Sequence, residues 1–371
     1  MPKIPYGRQH IDEDDIRAVA DTLRSDYLTT GPKVGEFERA VASFCGTDFG
    51  VAVSNGTAAL HAAMFALDIT SGDEVIVPPM TFAATANCIL YMGATPVFVD
   101  VQTENCLLDP TLVEKKITEK TKAIIAVDYT GQPCDWDGLR ALADRHGLAL
   151  VADACHALGG TYKDRKVGTL ADMSIFSFHP VKHIATGEGG MVMTNDASLD
   201  ARLRTFRNHG ITTDARSREE TGAWFYEMHD LGYNYRMTDI QAALGISQMA
   251  KLPAFLERRR EIARYYDQQF TGTAVRPLHV SDNVEHAYHL YVVRLTNRDR
   301  VYTQLREAGI YAQVHYIPVH LHPYYRNNLA TTEGLCPVAE AAYNEILSLP
   351  MYPDLNDDEL EYVVKTLLEY A

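Results

Sequence analysis

A short apolar strand and a glycine turn enclose Lys182 in the stretch Ser177-Phe178-His179-Pro180-Val181-Lys182-His183-Ile184-Ala185-Thr186-Gly187-Glu188-Gly189-Gly190. Ser177 ends the predicted strand 173–177, and the glycines lead into a predicted strand at 191–193. Asp153, 29 positions before Lys182, directly follows a third apolar run. Ligands of parallel sheets bind beyond the carboxyl ends of the strands, so we expect Asp153 and Ser177 at one such edge.

The region from about residue 50 to 195 alternates short apolar runs with helical segments, such as the one at 135–146. This alternation predicts an α/β fold with a mainly parallel sheet and helices on both faces. The runs are rich in β-branched and small residues and lie at 75–77, 96–99, 123–127, 148–152 and 173–177.

The last part of the chain has a less regular pattern. Helices are predicted at 198–208, 238–266, 301–308 and 357–369, with strands at 288–295 and 311–316. We therefore predict two domains. Residues 1–250 form an N-terminal segment and a large domain, and residues 251–371 form a small α+β domain.

Composition limits the possible partners. The chain has 371 residues and a formal net charge of −15, which argues against broad contacts with nucleic acid or anionic lipid. The six cysteines have no CxxC spacing, so neither a disulfide framework nor a cysteine zinc site is predicted. With no apolar leader and no membrane-length apolar run, the sequence favours the reducing cytoplasm.

Lys182 and Asp153 have the chemistry that pyridoxal phosphate requires. This cofactor needs a lysine for its aldehyde, an acid beside its ring nitrogen and polar groups around its phosphate. A partly desolvated lysine is also a usable nucleophile and proton carrier. The alternatives are a solvated loop lysine at 182 and an aspartate at 153 that caps the next helix.

Phosphate groups bind at the N-terminal ends of helices, where backbone N–H groups are free. Gly56 and Thr57 open an apolar helix after a predicted turn, and Ser177 adds a hydroxyl from the strand before Lys182. The alternative is that Ser54 or Thr57 is an ordinary helix cap.

Three further features carry predictions about the surroundings of the cofactor and the substrate. His156 is expected near the cofactor ring or its phenolic oxygen, with a packed helix histidine as the alternative, and Phe82 is expected to stack on the ring unless it is core. The segment 315–325 holds three histidines and three tyrosines. It predicts a polar and aromatic wall for a sugar or nucleotide, whereas a zinc site matches no common ligand spacing.

Taken together, these motifs resemble the DegT-type nucleotide-sugar aminotransferases, within the fold-type I pyridoxal phosphate enzymes. The likeness extends along nearly the whole chain. It is carried by Leu28-Thr29-Thr30-Gly31-Pro32, Ser54 to Ala58, Asp153 to Gly159, Ser177 to Gly190, Gly232 to Met237 and Gln313 to Pro318. Within the family, Ile4 to Gln9, Ser177 to Pro180 and Gln313 to Tyr316 most resemble the branch that serves pseudaminic acid biosynthesis.

The resemblance implies roles for residues at matching positions. Lys182 would bind the cofactor aldehyde and Asp153 its pyridinium nitrogen. The phosphate would meet Ser177, Gly56, Thr57 and, from the neighbouring subunit of a homodimer, Asn234. The residues implied for the sugar-nucleotide site are Tyr6, Asp26, Tyr27, Leu28, Thr29, Gln313, Val314, His315 and Tyr316.

The implied reaction moves the amino group of L-glutamate to C4 of a UDP-linked 4-keto-6-deoxy-N-acetyl-hexosamine. Other C3 or C4 keto sugars stay open, as does the residue that binds the glutamate carboxylate, with Arg8, Arg207, Arg236 and Arg294 as candidates. A related dehydratase branch carries histidine where this chain has Lys182, so the lysine favours transamination. A sensor built on an inactive fold would need a basic DNA-binding segment, which residues 1–50 lack.

Overall fold

The computed structural model describes residues 3–213, 218 and 222–371. Its helices, in chain order, are α1 Glu13–Leu23, α2 Pro32–Cys45, α3 Gly56–Ala66, α4 Ala84–Tyr91, α5 Pro110–Val113, α6 Trp136–His146, α7 Ala197–Phe206, α8 Asp239–Phe270, α9 Arg298–Glu307, α10 Pro323–Leu329, α11 Pro337–Glu345 and α12 Asp357–Tyr370. Its strands are β1 Ile4–Pro5, β2 Phe49–Val53, β3 Glu74–Val77, β4 Thr95–Phe98, β5 Thr121–Val127, β6 Ala149–Asp153, β7 Thr161–Tyr162, β8 Arg165–Lys166, β9 Met173–Ser177, β10 Gly190–Thr194, β11 Arg276–Pro277, β12 Val284–Glu285, β13 Tyr291–Arg294, β14 Ile310–Tyr311 and β15 Ile346–Leu349.

The central sheet has the order β2-β10-β9-β6-β5-β3-β4. All neighbours from β9 to β4 pair in parallel, and only β10 runs against its two neighbours, so β2 is again parallel to the rest. The strands are buried along most of their length, because helices cover a sheet of this kind on both faces. The predicted α/β fold with a mainly parallel sheet is confirmed.

The register of β5, β6 and β9 determines which residues end at the carboxyl edge of the sheet. Val127 lies opposite Asp153, and Asp153 lies opposite Ile175, two residues before Ser177. Asp153 and Ser177 are therefore the last residues of adjacent parallel strands. Both side chains reach the carboxyl edge, as the sequence predicts.

The C-terminal part packs around a second, smaller sheet, β11-β13-β15, and a separate hydrophobic core. Ile4 belongs to this core, because β1 pairs with β14. The strand predicted at 311–316 is wrong for most of its length. Only Ile310–Tyr311 forms a strand, and an isolated bridge joins Gln313 to Ser348.

Helix α8 is continuous through residue 250, where the sequence predicts a domain boundary. Its early turns pack on α1 and α2, and its later residues, among them Ile262 and Tyr266, enter the second core. The division into domains stays a prediction. Among the described residues, no helix combines the length and the apolar character that a membrane span requires.

Candidate active site

A cavity of about 750 Å³ opens at the carboxyl edge of the central sheet. Many of the residues predicted for the cofactor and substrate meet there, although they come from distant parts of the chain. The predicted residues that line the cavity are Tyr6, Gly56, Thr57, Phe82, Asp153, His156, Ser177, Lys182, His315 and Tyr316.

Lys182 enters the cavity from the loop between β9 and β10. Phe178 N–H donates to Gly189 O at 2.8 Å, which closes the base of the loop, and Lys182 N–H donates to His179 O at 2.8 Å in a tight turn. The side chain is half-buried, and its Nζ lies 3.3 Å from His289 Nε2. Burial lowers the pKa of the Lys182 amine. Lys182 is therefore not a fully solvated loop lysine.

Asp153 is a buried carboxylate with neutral hydrogen-bond donors. Thr85 Oγ1 donates to its Oδ2 at 2.6 Å, and Cys155 N–H donates to its Oδ1 at 3.3 Å. Thr81 Oγ1 lies 2.7 Å from Thr85 Oγ1 and extends this chain of hydroxyls. A buried carboxylate is stable when a cation faces it, so the site suits a protonated ring nitrogen. No helix follows β6 directly, so the helix-cap alternative is wrong.

The start of α3 faces Ser177 and suits a phosphate. Asn55 caps the helix, since its Oδ1 accepts from Ala58 N–H at 2.8 Å, which makes the Ser54 or Thr57 cap alternative wrong. The N–H groups of the first turn point towards the cavity end of the helix. A Cβ added to Gly56 would lie 3.1 Å from Ser177 Cβ, so glycine keeps the gap at this corner open.

Neutral imidazoles surround the Lys182 amine. His156 Nε2 lies 3.1 Å from Tyr316 Oη, and the His156 ring centre is 4.4 Å from that of His289. Burial, with the Lys182 charge adding to it, lowers the pKa of both imidazoles well below the usual range. Burial and the same charge lower the pKa of His315 to about 3. These rings can donate or accept hydrogen bonds without carrying charge at neutral pH.

Phe82 and His156 both line the cavity, Phe82 with an exposed side chain and His156 with a buried one. Phe82 is 62% exposed and lines the cavity, with its ring centre 6.1 Å from that of Tyr316. His156 lies in turns after β6, not in a helix. The core alternative for Phe82 and the packed-helix alternative for His156 are therefore wrong.

Several residues predicted for the site do not line the cavity in a single chain. Gln313 exchanges backbone hydrogen bonds with Ser348. Leu28 O accepts from Asp239 N–H at 3.0 Å, which ties the loop before α2 to the start of α8. Those outside the cavity lining are Asp26, Tyr27, Leu28 and Thr29, all exposed, half-buried Gln313 and Val314, and exposed Asn234.

The segment 315–325 does not form one continuous wall. His315 and Tyr316 line the cavity, but His320 is fully buried against Glu340 with Nε2 2.8 Å from Oε1. Tyr325 donates to Asn87 Oδ1 at 2.7 Å, away from the site. The predicted wall is thus limited to its first two residues. Within the described part of the chain, no cluster of His, Cys, Asp and Glu could hold a metal ion.

The four arginine candidates for the glutamate carboxylate also lie outside the cavity lining of one chain. Arg207 binds Glu38, Arg294 binds Thr103 O, and Arg236 donates to Asn208 Oδ1 at 2.8 Å. Arg8 is exposed. The carboxylate-binding residue therefore stays open.

The sequence did not single out three residues that shape the site. Thr85 lies three residues after Phe82, and nothing in the local pattern marks it as a partner of Asp153. Asn55 lies in the predicted turn, and the pattern does not distinguish it as the cap. His289 falls in the strand predicted at 288–295, and no local signal places it beside Lys182.

The chain is similar to known proteins along almost its whole length. The profile of the DegT/DnrJ/EryC1/StrS aminotransferase family matches residues 9–368. The spore coat polysaccharide biosynthesis protein SpsC of Bacillus subtilis is 41% identical, with 98% of this chain and 96% of SpsC covered.

Two solved structures are also similar over almost the full chain. The putative sugar aminotransferase Spr1654 from Streptococcus pneumoniae, solved in PMP and PLP forms, superposes in its PMP form with a TM-score of 0.95 at 36% identity, covering 99% of this chain and 98% of the other. Helicobacter pylori PseC, an aminotransferase involved in pseudoaminic acid biosynthesis, has a TM-score of 0.93 at 33% identity, with 99% of each chain covered.

Proposed function

The chain belongs to the DegT/DnrJ/EryC1/StrS aminotransferase family, and from that premise we propose that it transfers the amino group of L-glutamate to C4 of a UDP-linked 4-keto-6-deoxy-N-acetyl-hexosamine. The coarser activity, that of a pyridoxal phosphate-dependent sugar aminotransferase, follows from the family and its solved relatives. The single observation that carries the proposal is the cavity that brings Lys182, Asp153 and the start of α3 together.

The residues that line the cavity are proposed to bind different parts of pyridoxal phosphate. When bound, the cofactor supplies an aldehyde that holds amines covalently and a ring that takes up negative charge. Asp153 would hold the ring nitrogen in its protonated form. Gly56, Thr57 and Ser177 would bind the phosphate, and Phe82 and His156 would contact the ring.

Lys182 is proposed to act twice. Its neutral amine would bind the cofactor aldehyde, and, once displaced by the substrate amine, its Nζ would carry the proton to and from the substrate carbon. The lowered pKa of this amine supports both steps, because a larger fraction of it is unprotonated at neutral pH than in a solvated lysine.

The proposed sugar side of the cavity is aromatic and uncharged. Tyr6, His315 and Tyr316 lie together there, with the ring centres of Tyr6 and His315 5.0 Å apart. Such a wall can stack on a sugar or a base and offer hydroxyl hydrogen bonds. The similarity to PseC supports the pseudaminic acid substrate, and L-glutamate is proposed as donor from the family resemblance.

A homodimer is the proposed assembly. Asn234 and the segment 26–29 are exposed in a single chain, and Trp224 and Leu231, close in sequence to Asn234, are 84% and 79% exposed. A second copy that covers this surface would bring Asn234 to the phosphate of the neighbouring site. The proposed location is the cytoplasm, which the six free cysteines support.

The role of Lys182 is tested by borohydride reduction of the protein with its cofactor, followed by peptide mass spectrometry. The expected result is one reduced pyridoxyl adduct, on Lys182. Lys182→Ala should give none and should lose turnover. An adduct on any other lysine would overturn the assignment of the residue but not that of the family.

The substrate is tested with a panel of nucleotide-linked keto sugars and L-glutamate, with detection of 2-oxoglutarate and the sugar product. We expect the UDP-linked 4-keto-6-deoxy-N-acetyl-hexosamine to give the highest kcat/KM. A faster reaction with a 3-keto sugar would replace the proposed substrate. A product that has lost a hydroxyl without gaining nitrogen would indicate the dehydratase instead.

A further inference from the structure

The ring of His289 makes its one hydrogen bond, among the described residues, to the amine of Lys182. Nε2 lies 3.3 Å from Lys182 Nζ, while Nδ1 is buried without a partner within the same part of the chain. The ring is only 4% exposed. Buried polar side chains are ordinarily held by hydrogen bonds to the surrounding fold, so this ring is oriented by packing and by the amine.

Two other buried histidines, His286 and His183, make different contacts. His286 uses both ring nitrogens within the fold, with Nε2 3.1 Å from Thr130 Oγ1 and Nδ1 accepting from Tyr288 N–H at 2.8 Å. His183 Nε2 donates to Ala287 O at 2.9 Å. These two rings hold backbone in place, whereas the ring of His289 is directed to a side chain at the site.

The backbone of His289 is firmly fixed. The buried guanidinium of Arg259 donates to Tyr288 O at 3.1 Å, His289 O at 3.4 Å and Met351 O at 2.8 Å. Leu290 N–H donates to Thr130 O at 3.0 Å on the other side. Anchoring from α8, the turn after β5 and the loop after β15 fixes the backbone from which the buried ring reaches Lys182.

We propose that His289 is a positioning residue that holds the Lys182 amine in the cavity by accepting an N–H hydrogen bond from it, both in its ammonium form and in the neutral form that binds the aldehyde. The inference rests on the proposed role of Lys182 and extends it to a residue 107 positions further along the chain. A flexible four-carbon side chain loses accuracy without such a partner, and a near-attack geometry is sensitive to small displacements.

Other charged or titratable groups also face this pair. Asp153 and Cys155 lie on the β6 side and Arg259 on α8, and the remaining groups are the imidazoles of His156, His183 and His315. Burial keeps the imidazoles neutral, because it lowers the pKa of each of them. With the ring proton on Nδ1, the neutral Nε2 of His289 would accept from the Lys182 ammonium, and it is the one hydrogen-bond partner of Nζ among the described residues. Loss of that acceptor should destabilise the buried ammonium and so lower the pKa of Lys182.

The test compares His289→Leu, His289→Gln and His286→Gln in the full chain after removal of the cofactor. Competitive acetylation at a series of pH values, read by peptide mass spectrometry, gives the apparent pKa of each lysine. We expect the pKa of Lys182 to fall by about one unit in His289→Leu, as for a lost charge-assisted hydrogen bond. His289→Gln, whose amide oxygen can accept, should restore most of it, and His286→Gln should leave it unchanged.

The second measurement is the rate at which added pyridoxal phosphate becomes covalently bound, compared at equal fractions of neutral Lys182. We expect a loss of about tenfold in His289→Leu and less than about threefold in His289→Gln. An unchanged Lys182 pKa and rate in His289→Leu would overturn the inference, as would equal effects of His286→Gln. Either result leaves borohydride labelling at Lys182 intact, so it is distinguishable from failure of the proposed function.

Discussion

At the scale of single residues, the proposed site contains a buried carboxylate that, among the described residues, accepts hydrogen bonds from neutral donors only. Asp153 accepts from Thr85 and from the Cys155 N–H, both neutral. Thr85 in turn lies beside Thr81, so the two hydroxyls form a hydrogen-bonded chain. This chain orients the carboxylate but does not neutralise its charge. The role proposed for Asp153 is therefore electrostatic, and its effect on the reaction should exceed that of the residues that orient it.

Asp153→Asn is expected to lower kcat/KM by at least about 100-fold, because a neutral amide cannot hold the ring nitrogen protonated. Thr85→Val removes one hydrogen bond to the carboxylate and should cost about 10-fold. Steady-state kinetics on both variants, with thermal unfolding to check the fold, gives the comparison. Equal losses in the two variants would contradict the electrostatic role.

Residue-level prediction from sequence works where strand ends fix a position. Asp153 and Ser177 follow apolar runs, so their place at the sheet edge follows from the parallel pattern, and Lys182 lies in the short loop that leaves the same edge. His289 is 107 residues from Lys182, and local pattern carries no information on which distant loop folds back over the cavity. Identifying the residue that lies beside Lys182 in space therefore requires the tertiary structure.

At the scale of elements, the proposed phosphate site at the start of α3 depends on the close approach of β10 to that helix. A Cβ added to Gly190 would lie 2.4 Å from the carbonyl carbon and oxygen of Asn55 and 2.7 Å from Gly56 N. Those atoms are backbone and cannot move aside without shifting the first turn of the helix. The glycine therefore sets the position of the N–H groups proposed to bind phosphate.

Gly190→Ala is expected to destabilise the protein by about 1–3 kcal/mol and to weaken pyridoxal phosphate binding. Gly35→Ala, inside α2, is the matched control. Its added Cβ would meet only Arg39 Nη1, at 3.3 Å, and alanine favours a helix by about 0.5–1 kcal/mol. Urea unfolding and cofactor titration measure both. A Gly190→Ala protein as stable as Gly35→Ala would refute the steric account.

Elements with strong periodicity were predictable, whereas short ones were not. The strands β3, β5, β6 and β9 coincide with apolar runs because both faces of the sheet are covered. The run at 311–316 has strand-forming residues, but only its first residue pairs as a strand, and the rest bends to place His315 and Tyr316 at the cavity. Tertiary contacts override β-propensity there.

At the scale of the whole molecule, the proposed dimer predicts subunit complementation. If Asn234 completes the site of its neighbour, mixed dimers of inactive Lys182→Ala and inactive Asn234→Asp chains contain one intact site. Random mixing of equal amounts should restore about a quarter of wild-type activity, since half the dimers are mixed. Activity after joint refolding is the measurement. No recovery despite mixed dimers would place Asn234 in its own site or outside both.

Buried histidines also make the stability of the whole molecule depend on pH. Burial lowers the pKa of His286 to about 3, from an ordinary value of 6.5. Between these values the unfolded chain binds a proton that the folded chain does not, so stability is lost as the pH falls from about 6.5 towards 3. At pH 5 this one group costs about 2 kcal/mol.

His286→Gln should therefore shrink the difference in unfolding free energy between pH 7 and pH 5 by about 2 kcal/mol, whatever its effect at pH 7. Urea unfolding at the two pH values gives the difference for the variant and the wild type. An unchanged difference would mean that His286 titrates near its ordinary pKa in the folded protein.

The central claim is that this chain moves nitrogen from glutamate to a nucleotide-linked keto sugar. The most direct measurement supplies ¹⁵N-labelled L-glutamate and the UDP-linked 4-keto-6-deoxy-N-acetyl-hexosamine, with Lys182→Ala as the blank. We predict one labelled amino sugar for each 2-oxoglutarate formed, and neither product with the variant. A cofactor-loaded protein that gave no labelled amino sugar from any nucleotide-linked keto sugar would contradict the account.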